Sequence, residues 1–102
     1  GGPMIYVVAT TKVKPENRAA YIDGAKACVA ATQKEAGCIY YDSHTSINDP
    51  NTFVVVERWE SREALDAHSK APHMAVWREL SGPFKASPTV IEIIDPANVI
   101  KR

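Results

Sequence analysis

Phe53-Val54-Val55-Val56-Glu57-Arg58-Trp59-Glu60 runs without a loop into Ser61-Arg62-Glu63-Ala64-Leu65-Asp66-Ala67-His68. The first half is rich in valine and aromatics and predicts a strand. The second opens on a serine, is rich in Ala, Leu and Glu, and predicts a helix. On the strand, Glu57 and Trp59 share a face with Phe53 and Val55, while Arg58 points the other way with Val54 and Val56. On the helix, Ala64, Leu65 and His68 share a side whose apolar content turns it toward the sheet. The junction therefore predicts a carboxylate, an indole and an imidazole close together in apolar surroundings. With Glu57 on the helix side of the sheet, it is expected to hydrogen-bond and orient His68. Two readings follow: an imidazole that takes a proton from a bound hydroxyl while Trp59 stacks on a ring, or three side chains that only pack.

Moving outward, Cys38 to Thr45 reads as a second strand, and Asn48-Asp49-Pro50-Asn51 supplies the turn that makes the two strands an antiparallel hairpin. Before it, Lys14-Pro15-Glu16 starts a helix of about five turns. Its stripe is Ile22, Ala25, Val29 and Thr32, widened by Tyr21 and Cys28, and Gly37 ends it in a left-handed conformation. Residues 4–13 form a first strand, apolar on both parities. After His68, Ala71-Pro72 interrupts the helical pattern, which resumes over residues 73–80 with Met74, Trp77 and Leu80 inward. A last strand, residues 89–94, is again apolar on both parities apart from Glu92. Strand, helix, strand, strand, helix pair, strand is an α+β order, the ferredoxin-like βαββαβ arrangement with a four-stranded antiparallel sheet and helices on one face.

Helices cover one face of such a sheet, yet three of its strands are apolar on both. The second face would be a large apolar patch, which a second copy of the same sheet covers most economically. A homodimer is therefore expected, a dimeric α+β barrel in which the tail around Val99 and Ile100 reaches the partner.

The 102 residues carry 12 Lys+Arg and 12 Asp+Glu, so the formal net charge is zero and no basic stretch offers a footprint for nucleic acid. Neither a membrane span nor a leader is visible, which makes the cytoplasm the expected compartment. Gly1-Gly2-Pro3 resembles a remnant of protease cleavage left by cloning, and residues 4–102 read as one domain. Cys28 and Cys38 match no metal or redox spacing and are expected to be buried thiols. His73 lies five residues from His68, about 140° round a continuous helix, with Pro72 between them, so no metal-ligand pair is expected. There is no phosphate loop or dinucleotide fingerprint, so no cofactor is expected either.

These residues carry a family pattern. Lys14-Pro15-Glu16 follows the first strand, Ala36-Gly37-Cys38 precedes the second, and Glu57-x-Trp59 is followed by the Ser61 helix with His68 and a short strand near residues 90–94. In this the chain resembles the antibiotic biosynthesis monooxygenase family, which includes quinol monooxygenases. The resemblance implies a dimeric α+β barrel that oxidises an electron-rich aromatic, a quinol or anthrone, with O2 and without metal or organic cofactor. On that reading His68 is the base, Glu57 its partner, and Trp59, Phe53, Trp77 and Leu65 hold the ring. The polyketide-anthrone branch resembles a set with an Asn on the Trp-bearing strand, where this chain has Phe53 and Val55. The haem-degrading branch has an Asn on the first strand, where this chain offers Thr10 and Thr11, and an isomerase branch acts on a phosphorylated ketone, for which no basic cluster stands out in the sequence. The other class of reading is a protein of the same fold that binds or sequesters a small hydrophobic molecule without turnover.

Overall fold

The computed structural model describes residues 3–102, so the cleavage-remnant reading of Gly1-Gly2 lies outside the described residues. β1 (Ile5–Lys12) leads through a 3-10 turn at Pro15–Asn17 into α1 (Arg18–Thr32). The hairpin follows as β2 (Cys38–Thr45) and β3 (Thr52–Trp59), then α2 (Arg62–Ser69), α3 (Pro72–Ser81), a 3-10 turn at Gly82–Phe84 and β4 (Val90–Ile94). The strands lie in the order β2-β3-β1-β4, every neighbouring pair antiparallel. This is the ferredoxin-like α+β fold that the order of elements predicts.

Alternation along the strands sets which side chains meet. Ile5, Val7 and Thr11 of β1 stand opposite Trp59, Glu57 and Phe53 of β3, and Tyr41 of β2 pairs with Glu57; all seven are buried on the helix side. Tyr21, Ala25, Cys28 and Thr32 form the buried stripe of α1, with Ile22 and Val29 half-buried beside it. The opposite sheet face carries Tyr6 and Val8 against Arg58 and Val56. Between Cys38 and Tyr40 the register shifts by one, leaving Ile39 as the extra, exposed residue of a bulge.

Two glycines set close approaches. Gly37 has φ +81°, as its helix-ending position predicts, and a Cβ there would lie 2.5 Å from the Cβ of Ala64, so α2 rests directly on this turn. A Cβ on Gly24 would lie 2.7 Å from the Trp77 ring, which places α3 hard against α1.

Three details differ from expectation. Leu80 is exposed, because α3 meets α1 near Gly24 at the edge of the helical layer; only Met74 of the expected trio is fully buried, with Trp77 half-buried. Cys38 is half-buried, since it opens an edge strand at the bulge. β4 is exposed along its whole length, so Ile91 and Ile93 on the helix-facing side and Val90 and Ile94 on the other all reach solvent. Among the described residues no helix is long and apolar enough to cross a membrane.

Candidate active site

His68 owes its position to the start of α2. The Ser61 side chain accepts a hydrogen bond from the backbone N–H of Ala64 (3.1 Å), which caps the helix and fixes the phase that turns Leu65 and His68 onto the sheet. The imidazole is 4 % exposed and packs on Trp59 (ring centroids 4.7 Å apart) and Tyr41 (5.4 Å). Its Nδ1 lies 2.8 Å from Oε2 of Glu35, a residue in the turn between α1 and β2. A carboxylate accepts hydrogen bonds, so Nδ1 is the donor of this pair, and in the neutral ring the lone pair is on Nε2.

The expected Glu57–His68 hydrogen bond is therefore replaced by Glu35–His68. Glu57 instead accepts from the indole N–H of Trp59, at 2.9 Å. Burial pushes the Glu57 carboxyl above its ordinary range, an effect that the Trp59 hydrogen bond and the nearby His68 oppose. Glu35 was invisible as a site residue because it falls after the last periodic position of α1, and nothing in its sequence surroundings marks it.

His73 joins the same group. Its Nε2 is 3.0 Å from Glu35 Oε2 and hydrogen-bonds Thr32 Oγ1 at 3.2 Å. The two imidazoles, expected to diverge on a continuous helix, come within 6.3 Å because Pro72 starts a new helix in a new direction. Ligand atoms of Glu35, His68 and His73 all lie within 4.8 Å of one another, a two-nitrogen, one-oxygen set of the kind that suits zinc or iron. Hydrogen bonding and charge pairing to one carboxylate already account for the arrangement.

A cavity of about 350 Å³ lies between the inner face of β1, β3 and β4 and the helices α2 and α3. Glu57, Leu65, His68 and Trp77 line it; Phe53 and Trp59 do not. Trp59 is wholly buried, so a ring in the cavity meets His68, and Trp59 forms the layer behind it. Tyr21 and Tyr41 add two phenols to the wall, and burial raises both above the ordinary tyrosine range, which keeps them as hydroxyl donors. The remaining wall is largely aliphatic, from Val7, Ala9, Val55 and Met74. Arg62, Arg78 and Lys85, scattered in sequence, meet along this cavity.

A larger cleft, about 470 Å³, opens between α1 and β2 and includes Phe53 among Lys26, Gln33 and Asp42. It contains none of the histidines, and its charged groups are not buried. Chemistry that needs a desolvated base belongs in the smaller cavity.

A family model described as antibiotic biosynthesis monooxygenase matches residues 4–80. The Escherichia coli K12 protein named "Probable quinol monooxygenase YgiN" is 31% identical over 86 residues, covering 74% of this chain and 83% of that protein. An uncharacterized Synechocystis protein, sll1783, is 32% identical over 89 residues, covering 87% of this chain; the match takes in only 60% of that relative's length. Among solved structures, Rv0793 from Mycobacterium tuberculosis superposes with a TM-score of 0.89 at 28% identity, covering 96% of this chain and 99% of that one. A conserved protein from Methanosarcina mazei Go1 gives 0.87 at 30% identity, covering 89% and 90%.

Proposed function

The chain belongs to the antibiotic biosynthesis monooxygenase family, and we propose that it oxidises an electron-rich hydroxyaromatic, a quinol or anthrone, with O2 in the cavity beside His68. The observation that carries this reading is the oriented imidazole: Glu35 holds Nδ1–H at 2.8 Å while the ring lines a largely apolar cavity of about 350 Å³.

The chemistry follows from charge. A phenolate passes one electron to O2 far more readily than a phenol, so the protein's task is to remove the hydroxyl proton and hold the anion. A dry cavity disfavours that anion. His68 Nε2 accepts the proton, and Glu35 offsets the cost of the imidazolium that forms. The hydroxyl of Tyr41, whose ring packs on His68, donates to the developing oxyanion. One oxygen atom bonds to carbon; the C–H bond at that carbon and the O–O bond then break, and the other oxygen leaves as water with the carbon's proton and the one returned by His68, so substrate and O2 balance product and water with no external reductant. Glu57 and Trp59 act as positioning residues: the carboxyl fixes the indole, and the indole supports the imidazole ring. Leu65 and Trp77 hold the substrate ring.

The same reading makes the protein a homodimer. Val8, Val54 and Val56 are only half-buried on the outer sheet face, and Arg58 Nε there is buried without a hydrogen-bond partner among the described residues. A second sheet covers the first group and offers acceptors to the second. The cytoplasm, where Cys28 and Cys38 stay reduced, is the compartment that fits.

The test is isotopic. Metal-free protein incubated with a dihydroxyanthrone under labelled O2 is expected to yield product carrying one labelled oxygen. Thermal stabilisation by the anthrone with no oxygen uptake above autoxidation would instead identify a binding protein.

A further inference from the structure

Two imidazole nitrogens converge on one carboxylate oxygen where α2 gives way to α3. Glu35 Oε2 lies 2.8 Å from His68 Nδ1 and 3.0 Å from His73 Nε2. Without an ion, hydrogen bonds hold this arrangement, and they put the three atoms close to where one divalent cation needs them. Ligand atoms on a tetrahedral zinc, with bonds of about 2.0–2.1 Å, stand about 3.3 Å apart. The two spacings open by only about 0.3–0.5 Å when a cation takes the place of the hydrogens between them.

The backbone holds the set in advance. Glu35 comes two residues before Gly37, whose positive φ and closeness to Ala64 seat α2 on the turn. Pro72 then starts α3 in a new direction and brings His73 back toward His68. The last turn of α2 and the first turn of α3 meet here, so their dipole ends are of opposite sign and offset each other. The Glu35 carboxylate therefore sets the local charge.

Exposure separates the possible ions. The side chain of His73 is 28% exposed, that of Glu35 16% and that of His68 6%. An ion enters past His73 and keeps one side toward solvent. One open side suits a four-coordinate ion with a single water, whereas a six-coordinate iron requires three further positions.

We propose that Glu35, His68 and His73 form a zinc site with water as the fourth ligand, and that zinc bound there silences the cavity. The silencing rests on the reading of His68 as the base. An imidazole bound to zinc through Nδ1 carries its hydrogen on Nε2, which then has no lone pair for a substrate proton. One carboxylate thus serves two exclusive states, orienting the imidazole in the first and holding the ion in the second.

The test is a titration of chelator-treated protein with Zn2+ against a chromogenic indicator, and with Co2+ as a spectroscopic stand-in. One zinc per chain at about micromolar affinity is expected, with a zinc-dependent rise in the thermal transition. The cobalt protein is expected to show the visible bands of a tetrahedral site and no thiolate charge-transfer band. His73→Gln is expected to bind zinc about 100-fold more weakly. His44→Gln and Cys38→Ser, which alter groups outside the set, are expected to bind as the native protein does. No binding below about 1 mM, a thiolate band, or zinc affinity that survives His73→Gln overturns the site. The cobalt spectrum and the thermal shift of the native protein decide the question even where His73→Gln fails to fold. Saturating zinc is also expected to abolish oxygen uptake with a dihydroxyanthrone, and a chelator to restore it. Unchanged uptake with zinc bound overturns the silencing and counts against His68 as base. Absence of uptake by the metal-free protein removes the oxidation reading and the silencing with it, while the site stands or falls on binding alone.

Discussion

Nδ1 of His68 lies 2.8 Å from Oε2 of Glu35, across 33 residues of sequence. The contact joins the turn after α1 to the last turn of α2, and it fixes Nδ1 as the imidazole nitrogen turned to the carboxylate. Glu35→Gln keeps the shape but leaves the tautomer and the imidazolium unsupported. Turnover is expected to fall by about 10²–10³-fold, with a much smaller change in affinity for a non-reacting quinone. A steady-state comparison checks it; unchanged turnover would remove Glu35 from the mechanism.

Glu57 gives a stability prediction with a definite sign. Its folded value is raised above the ordinary 4.5, chiefly by burial. The folded state therefore holds this proton more tightly, and the associated stability is present below pH 4.5 and is lost as pH rises through the folded value. Glu57→Gln keeps an acceptor for the Trp59 indole without the charge. Denaturant titrations are expected to show the variant gaining stability relative to the native protein at pH 7, with the gain shrinking toward pH 4. A gain of equal size at both pH values would contradict the assignment.

Gly37 supports the Glu35 turn. Gly37→Ala meets both a positive φ and a Cβ contact of 2.5 Å with Ala64. A loss of about 2–4 kcal/mol is expected, combining the cost of the left-handed conformation with overpacking. In the double variant with Ala64→Gly the clash is relieved and only the backbone and helix-propensity costs remain. The cycle therefore predicts a favourable coupling between the two sites, readable from chemical denaturation. Additive losses would mean that the turn and α2 do not meet as described.

Val8 and Val56 face each other on the outer side of the sheet. The homodimer reading predicts that the native protein sediments at twice its monomer mass, and that Val56→Asp shifts it to monomer at micromolar concentration. Circular dichroism would check that the variant still folds. A native monomer would remove the sheet-to-sheet packing.

The fold was legible because its signals are local. The valine run, the Ser61 cap, the Asn48-Asp49-Pro50-Asn51 turn and Gly37 each act within a few residues, and β2 begins and ends where its pattern predicts. Parity also placed Glu57 and Trp59 on one face of the strand, which the structure turns toward the helices. Depth was not legible: nothing in a strand pattern separates Trp59, sealed behind His68, from Trp77, which reaches the cavity. The Glu35–His68–His73 group escaped for a related reason. It depends on the approach of three elements, set by a glycine without a Cβ and by the change of direction at Pro72, and periodicity within one element carries no information about either.

The central claim is that His68 removes a proton from a bound hydroxyaromatic so that O2 can react with it. The direct test is oxygen uptake by the native protein and by His68→Gln with a saturating dihydroxyanthrone, each corrected for autoxidation. Retained binding of the corresponding quinone would confirm that the cavity is intact. The proposed mechanism predicts uptake by the native protein and a loss of at least about 10²-fold in the variant. Equal uptake by the two proteins would contradict it.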